Sequence, residues 1–213
     1  MQQILPMPKN LLVIVAICLA AISCQKELSG DYGIGTGTGS GTGTGGTASN
    51  SALLNTWKFT GMSATGHSEN QITVAGSSSK VVSNYFFNSI QNTGTITFSA
   101  NGKLASANFG YAVDTTSWVL TYFDGVFFDS TEVDIKYPYA ASSGTGDYIL
   151  KGSDSIILKN GSLAGSQDGT MGYKITGNKL QLAYLVQRDS SFSTIDASGY
   201  SKQKQTTYFN FEK

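Results

Sequence analysis

Apolar and polar residues alternate with a period of two over several stretches of the chain. In the segment TITF, Ile96 and Phe98 share one face while Thr95 and Thr97 occupy the other. Such alternation is typical of a β-strand with one buried and one solvated side. The same pattern recurs in EVDIKY (132–137), KLQLAYLV (179–186) and YFNFEK (208–213).

Two-residue turn signals separate these stretches. Each pair contains a glycine next to a small or polar residue and suits a tight hairpin turn, where positive φ is required. Their spread along the chain predicts antiparallel hairpins that follow one another in sequence. The pairs are Asn101-Gly102, Asp124-Gly125, Gly152-Ser153 and Gly177-Asn178.

One segment, SSSKVVSNYFFNSIQNTG (77–94), is compatible with two structures. Val82, Tyr85, Phe86 and Ile90 would form one face of a short helix after a serine cap. The β-rich composition of the surrounding chain favours a strand equally. The residues 79–92 therefore stay unassigned between helix and strand.

The strands and hairpins together predict an all-β domain of about eight to ten short strands. A sheet of this kind must protect the backbone groups of its edge strands, and closure into a barrel does so. An antiparallel up-and-down β-barrel is therefore the expected fold.

The N-terminus has a different character. Lys9 precedes an apolar run of eleven residues, Leu11–Ala21, which is well short of the about 20 residues that a membrane-spanning helix needs. Its terminal position and the flanking charge favour a secretory signal over a buried core helix. Small residues, Ala21 and Ser23, then lead to Cys24.

This arrangement resembles the lipobox of bacterial lipoproteins. The resemblance implies that the signal peptide, residues 1–23, is removed, that Cys24 receives a diacylglyceryl group, and that the new amino terminus gains an acyl chain such as palmitate. Gln25 stands where aspartate is associated with retention in the inner membrane. The resemblance therefore implies a lipid-anchored protein of the cell outer membrane, facing either side.

Residues 24–50 are rich in glycine and threonine. Such tracts bury too little apolar surface to offset the entropy of ordering them, so we expect a flexible tether. The 26 residues from Gln25 to Asn50 give a root-mean-square reach of roughly 25–30 Å. A dinucleotide-binding loop is disfavoured, because no strand precedes the glycines and no helix follows them.

The remaining residues, 51–213, have the length of a single domain. Only Lys9 is charged among residues 1–23, so their removal leaves 13 basic and 14 acidic residues. This near-neutral balance gives no electrostatic basis for nucleic-acid binding. The only cysteines are Cys18 and Cys24. The exported domain would therefore have no disulfide, catalytic cysteine or cysteine-ligated metal.

The stretch LLNTWKFTGMSA, from Leu53, resembles the first strand of bacterial lipocalin-like domains, and GTITF…NGK and the closing YFNFEK are similar to that group as well. The resemblance implies a lipocalin-like barrel with a ligand in its interior or at its mouth. It also implies that Arg188, the only arginine, packs over Trp57 and that both serve barrel closure through a cation–π contact.

Polar candidates for catalysis or metal binding are few. His67, the only histidine, falls in a Ser/Gly/Asn-rich segment that we expect to be a loop, with Glu69 two residues on. No third ligand for a metal is indicated. The acidic residues Asp124, Asp129, Glu132 and Asp134 could form a calcium or glycosidase site. The apolar alternate face instead favours the solvated side of a strand, so no metal or cofactor is expected.

Aromatic residues gather in SWVLTYFDGVFFDS (117–130) around a predicted tight turn. Aromatic side chains at a barrel mouth suit stacking against an apolar molecule or a sugar ring, although they can also form ordinary core. The sequence predicts a non-catalytic binding protein for such a ligand. The alternative is a filled barrel that docks onto another envelope protein. The candidate ligand-binding residues are Trp118, Tyr122, Phe123 and Tyr184.

Overall fold

The computed structural model describes residues 50–159 and 169–213. The predicted signal peptide (1–23), the predicted lipidation site Cys24 and all but the last residue of the predicted tether (24–50) lie outside the described residues. No helix with the length and apolarity to cross a membrane occurs in the described part of the chain.

The described residues form a closed, antiparallel, up-and-down barrel. Each strand pairs with its neighbours in sequence, and the last strand pairs with the first. This confirms the predicted all-β barrel, and the eight strands of the described residues fall within the predicted eight to ten. The eight strands are β1 (Thr56–Val74), β2 (Ser77–Phe98), β3 (Lys103–Phe123), β4 (Val126–Lys151), β5 (Ser155–Lys159), β6 (Gly169–Thr176), β7 (Lys179–Ser193) and β8 (Ala197–Glu212).

All four predicted turns connect strands. Asp124 and Gly125 both have positive φ, at 48° and 79°, as a two-residue primed turn requires. Gly102, Gly152 and Gly177 also have positive φ in the other three connections. A further turn of this type, at Ala75 and Gly76, joins β1 to β2 and was not predicted.

Segment 79–92 is part of β2, so the helical alternative is wrong. Its residues pair with β1 on one side and with β3 on the other. The sheet therefore satisfies the backbone groups of this segment on both sides, and tertiary pairing decides a pattern that is locally ambiguous.

The strands are longer than expected and differ greatly in length. β4 has 26 residues, whereas β5 has only 5. β4 pairs with β5 only over Asp147–Lys151, and β7 pairs with β6 only over Lys179–Ala183. We call the part where all eight strands pair the closed end. The open end is the part where β1–β4, β7 and β8 continue without β5 and β6.

The hydrophobic core fills the closed end. All eight strands and the short segment before β1 contribute side chains to this core. Each of these side chains is buried, with at most 8% of its surface exposed. Aromatic rings dominate the contact between β1, β3 and β8, with the centres of Phe59 and Phe109 4.5 Å apart. The largest fully buried side chains are Trp57, Phe59, Phe98, Phe109, Phe211, Leu53, Ile96, Leu104, Ile156, Leu158 and Leu180.

Candidate functional site

The inner face of the open end continues the face that carries the core. Tyr111 of β3 marks the boundary, since its ring centre lies 6.1 Å from that of Phe59 and 6.3 Å from that of Phe109. On its other side Tyr111 stacks on Tyr139 of β4, with the ring centres 5.2 Å apart and the planes 8° apart. The core thus ends in a pair of parallel tyrosine rings.

Apolar groups on this face become exposed beyond the tyrosine pair. Successive inner residues of β4, from Tyr139 toward its start, are Tyr137, Ile135 and Val133, which lie opposite inner residues of β3. Tyr137 is 55% exposed and Val133 is 41% exposed. Neither β5 nor β6 reaches this level, so no described strand covers these side chains. Exposed rings on a curved sheet provide a surface for flat or apolar ligands.

Polar side chains of β2 and β8 also lie on this inner face. The hydroxyl of Tyr85 on β2 donates to Oε1 of Gln205 on β8 at 2.6 Å. The amide of Gln205 in turn donates to Oγ1 of Thr207 at 3.0 Å. The ring of Tyr85 also stacks on Phe87, with 6.1 Å between the ring centres. Aromatic surface and oriented amide groups therefore occur side by side.

Burial raises the pKa of two tyrosines on the inner face above its ordinary value. Desolvation raises the pKa of Tyr111, and the neighbouring phenols of Tyr137 and Tyr139 add to that effect. Desolvation also raises the pKa of Tyr85. Both hydroxyls thus keep their protons at neutral pH and can serve as hydrogen-bond donors.

The predicted ligand-binding residues do not form one surface. Trp118 and Tyr122 lie on the outer face, where Trp118 is opposite Glu132 and Tyr122 contacts Phe127 and the ammonium of Lys80. Phe123 and Tyr184 lie on the inner face but on β3 and β7, which are not neighbours. Trp118 is nevertheless 53% exposed, so its role in binding stays a prediction.

The predicted contact between Arg188 and Trp57 is not present. Trp57 is fully buried at the closed end, and its indole N–H donates to the carbonyl of Leu53 at 2.9 Å. The cation over its ring is Lys213, whose Nζ lies 4.8 Å from the ring centre. Arg188 is opposite Gln203 of β8. It lies in the open end because it follows Leu180, a core residue, by eight residues along β7.

His67 lies in strand β1, so the expected loop is wrong. Its Nδ1 is 2.7 Å from the amide oxygen of Asn84, and its Nε2 is 4.0 Å from Glu69. The carboxylate of Glu69 accepts a hydrogen bond from the hydroxyl of Tyr200, and this bond lowers the pKa of Glu69. No group of three or more potential metal ligands occurs within the described ranges.

Asp124, in the β3–β4 hairpin, has a local structural role. Asp124 Oδ1 accepts a hydrogen bond from the Ser78 backbone N–H at 2.6 Å, which joins two neighbouring turns. Glu132 and Asp134 are exposed on the outer face of β4, together with Lys136. This confirms the predicted solvated face of a strand.

A surface cleft of about 310 Å³ lies at the closed end, between β3 and β4. The ion pair between Lys103 Nζ and Asp147 Oδ1, 2.5 Å apart, is part of its wall. None of the tyrosines of the open end lines this cleft. The cleft is lined by Ser99, Lys103, Leu104, Ala105, Thr145, Gly146 and Asp147.

Neither the stacked pair of Tyr111 and Tyr139 nor the hydrogen-bonded pair of Tyr85 and Gln205 was predicted from the sequence. Tyr137 and Tyr139 flank the only proline of the predicted domain, in the segment KYPYA. This pattern was the one feature of the sequence that could have drawn attention to them. The pairing of Tyr85 with a residue 120 positions away could not be inferred from local pattern. Comparison with known proteins identified no match, whether among protein-family models, curated proteins or solved structures.

Proposed function

We propose that this protein is a non-catalytic carbohydrate-binding protein of the bacterial cell envelope, with its ligand on the inner face of the open end. The observation that carries the proposal is the parallel pair of Tyr111 and Tyr139, which extends into the exposed Tyr137. Flat aromatic faces stack on the apolar faces of sugar rings, and a partly solvated row of them accommodates a chain of such rings.

The polar groups of the same face favour a carbohydrate over a purely apolar ligand. Gln205 and the Tyr85 hydroxyl form an oriented hydrogen-bonded pair on the inner face. Arg188 is exposed on the inner side of β7 and adds five N–H donors. Sugar hydroxyls would use these groups, whereas an aliphatic ligand would leave them unsatisfied.

The positions of the acidic residues support binding without catalysis. A glycosidase needs two carboxyl groups on either side of the bond that is cleaved. Glu132 and Asp134, the closest pair in the predicted cluster, lie on the outer face, opposite to the tyrosine pair. His67 is also on the outer face, where it contacts Asn84.

The lipid anchor is part of the same proposal, and it rests on the sequence around Cys24. The domain would be attached to the outer membrane by a diacylated cysteine that follows a cleaved signal peptide. Stable anchoring takes more than one acyl chain. Replacing Cys24 with alanine should release the protein from the detergent phase or leave an uncleaved precursor. An unmodified mature N-terminus at another residue, found by mass spectrometry, would contradict the anchor.

Titration with neutral oligosaccharides tests the binding site. We expect Tyr137→Ala to weaken binding roughly two- to tenfold, the effect of losing one ring contact, while folding is unchanged because Tyr137 is exposed. Trp118→Ala is the matched control, since Trp118 is equally exposed on the outer face. If Trp118→Ala abolishes binding while Tyr137→Ala does not, the site is on the outer face and the proposal fails.

Docking onto another envelope protein is the second candidate, and the filled closed end is the observation that favours it. In that case the barrel would serve as a scaffold, and its strand edges and outer face would make the contacts. Capture of a defined envelope protein by wild-type protein, together with no response to a broad oligosaccharide panel, would favour this alternative.

A further inference from the structure

One side of β4 has no strand partner over most of its length. β4 pairs with β3 almost throughout, but with β5 only over Asp147–Lys151. Residues 126–146 therefore form a free edge within the described part of the chain. An exposed strand edge is a template for another strand, and proteins usually limit such pairing.

The direction of the backbone groups on β3 follows from one hydrogen bond. The Asp124 N–H donates to the Ser78 carbonyl at 2.9 Å, just beyond the last pair of β2 and β3. In an antiparallel ladder the preceding residue, Phe123, then turns its N–H and C=O away from β2 and toward β4. Thr115 is an even number of residues away along the same strand, so it also bonds toward β4.

The same rule gives the groups that β4 presents at its free edge. Ile135 lies opposite Thr115, so its N–H and C=O point to β3. Asp134, Lys136 and Pro138 then turn their backbone groups to the free edge. Proline lacks an N–H, so Pro138 offers only its carbonyl to the free edge, and a strand added there would pair through the residues before Pro138.

We propose that two copies of this chain associate through antiparallel pairing of their β4 edges, with Ile135 on the two-fold axis. In this register Asp134 of each copy lies opposite Lys136 of the other, and Asp134 and Lys136 are both residues whose backbone groups face the free edge. On the inner face Val133 lies opposite Tyr137 of the second copy. The pairing would join the inner faces of the two copies, so that these two side chains, 41% and 55% exposed in the single chain, lie side by side on one continuous surface.

Charge selects this register over its neighbours. If the axis passed through Asp134, the two Asp134 carboxylates of the pair would lie opposite each other. An axis through Lys136 would likewise place the two Lys136 ammonium groups opposite each other. Like charges directly opposite each other on strands are unfavourable, whereas opposite charges are favourable. Lys136 already lies 3.9 Å from Asp114 of its own chain. It would thus lie between two carboxylates in the pair.

Cysteine cross-linking tests the register in the full chain with Cys18→Ser and Cys24→Ser. Ile135 would lie opposite Ile135 of the second copy in a non-hydrogen-bonded pair. The two Cα atoms of such a pair are about 4.5 Å apart, which is within the range that a disulfide requires. We therefore expect Ile135→Cys to give a cross-linked dimer on mild oxidation. Thr131→Cys is the matched control on the same face of β4. Its two copies would lie about 27 Å apart, so no cross-link should form.

Charge exchange provides a second measurement that does not alter the inner face. Wild-type protein should sediment at twice the chain mass, and Asp134→Lys should reduce this to the mass of one chain. The double variant Asp134→Lys, Lys136→Asp restores opposite charges in the pair and should restore the dimer. The proposal is overturned if wild-type protein is a monomer, if both cysteine variants cross-link equally, or if the double variant stays monomeric.

Discussion

At the scale of the residue, Trp57 combines three contacts that hold the closed end together. It is fully buried, it donates its indole N–H to the Leu53 carbonyl, and Lys213 covers its ring. Its structural role was predictable from the sequence around it, but the identity of the cation was not. Lys213 reaches the ring because β8 ends beside the start of β1, where Lys58 lies opposite Glu212.

Truncation of the two tryptophans should have unequal effects on stability. We expect Trp57→Ala to lower the free energy of unfolding by about 3–5 kcal/mol, through lost burial and a residual cavity. Trp118→Ala should cost about 1 kcal/mol or less, since half of that side chain is already solvated. Urea denaturation of both variants measures the difference. Equal losses would show that Trp118 is a core residue.

At the scale of the element, bulges decide which residues face inward. In β3, Leu104 and Ser106 are buried at even positions, whereas Phe109, Val113 and Ser117 are buried at odd positions. The change occurs where the register with β2 and β4 shifts and Asn108 has positive φ, at 50°. Alternation in the sequence predicts the faces of a regular strand correctly, as it does for 132–137. It does not reveal a bulge, so the face of Trp118 was not predictable.

Alanine substitution at two glycines with similar φ should distinguish the cost of a steric clash between strands from the cost of backbone strain. Gly94 and Gly76 have φ of 96° and 86°, but a side chain at Gly94 would lie 2.4 Å from the Asn108 carbonyl oxygen, whereas nothing lies within 4 Å at Gly76. Gly76→Ala should cost about 1–2 kcal/mol from the left-handed backbone alone. Gly94→Ala should cost clearly more, because β2 and β3 must separate. Thermal unfolding of both variants checks this order, and equal costs would contradict the close approach of these strands.

At the scale of the whole molecule, the order of the strands was more predictable than their lengths. A hairpin turn depends on a few adjacent residues, so four residue pairs in the sequence predicted four strand connections. Strand length instead depends on whether a neighbouring strand satisfies the backbone, which is a property of the assembled sheet. The long open end therefore became apparent only in the structure, and with it the tyrosine pair that local pattern did not single out.

The buried phenols make the stability of the barrel sensitive to alkaline pH. Burial raises the pKa of Tyr85, Tyr111 and Tyr148 in the folded state above the value of about 10 for an unfolded chain. Below pH 10 both states keep these protons, so the contribution of the buried phenols is complete. Above it the unfolded chain releases them first, and the free energy of unfolding should fall.

Denaturation by urea at a series of pH values between neutral and alkaline measures this fall. Tyr111→Phe and Tyr85→Phe each remove one phenol while retaining the ring, so each should reduce the slope of stability against pH. A slope that is unchanged in both variants would show that these hydroxyls ionise as readily in the folded barrel as in the unfolded chain.

The short strands β5 and β6 also determine how the molecule opens. Within the described part of the chain they close the sheet between β4 and β7, and the ladder between them spans Ser155–Leu158 and Gly169–Gly172. Separating them breaks few backbone hydrogen bonds, whereas separating β1 from β2 or β8 breaks many. Amide hydrogens of β5 and β6 should therefore exchange with solvent through local opening, while those at the centre of β1 exchange only when the whole domain unfolds. We therefore expect the ladder between β5 and β6 to open before the six longer strands separate.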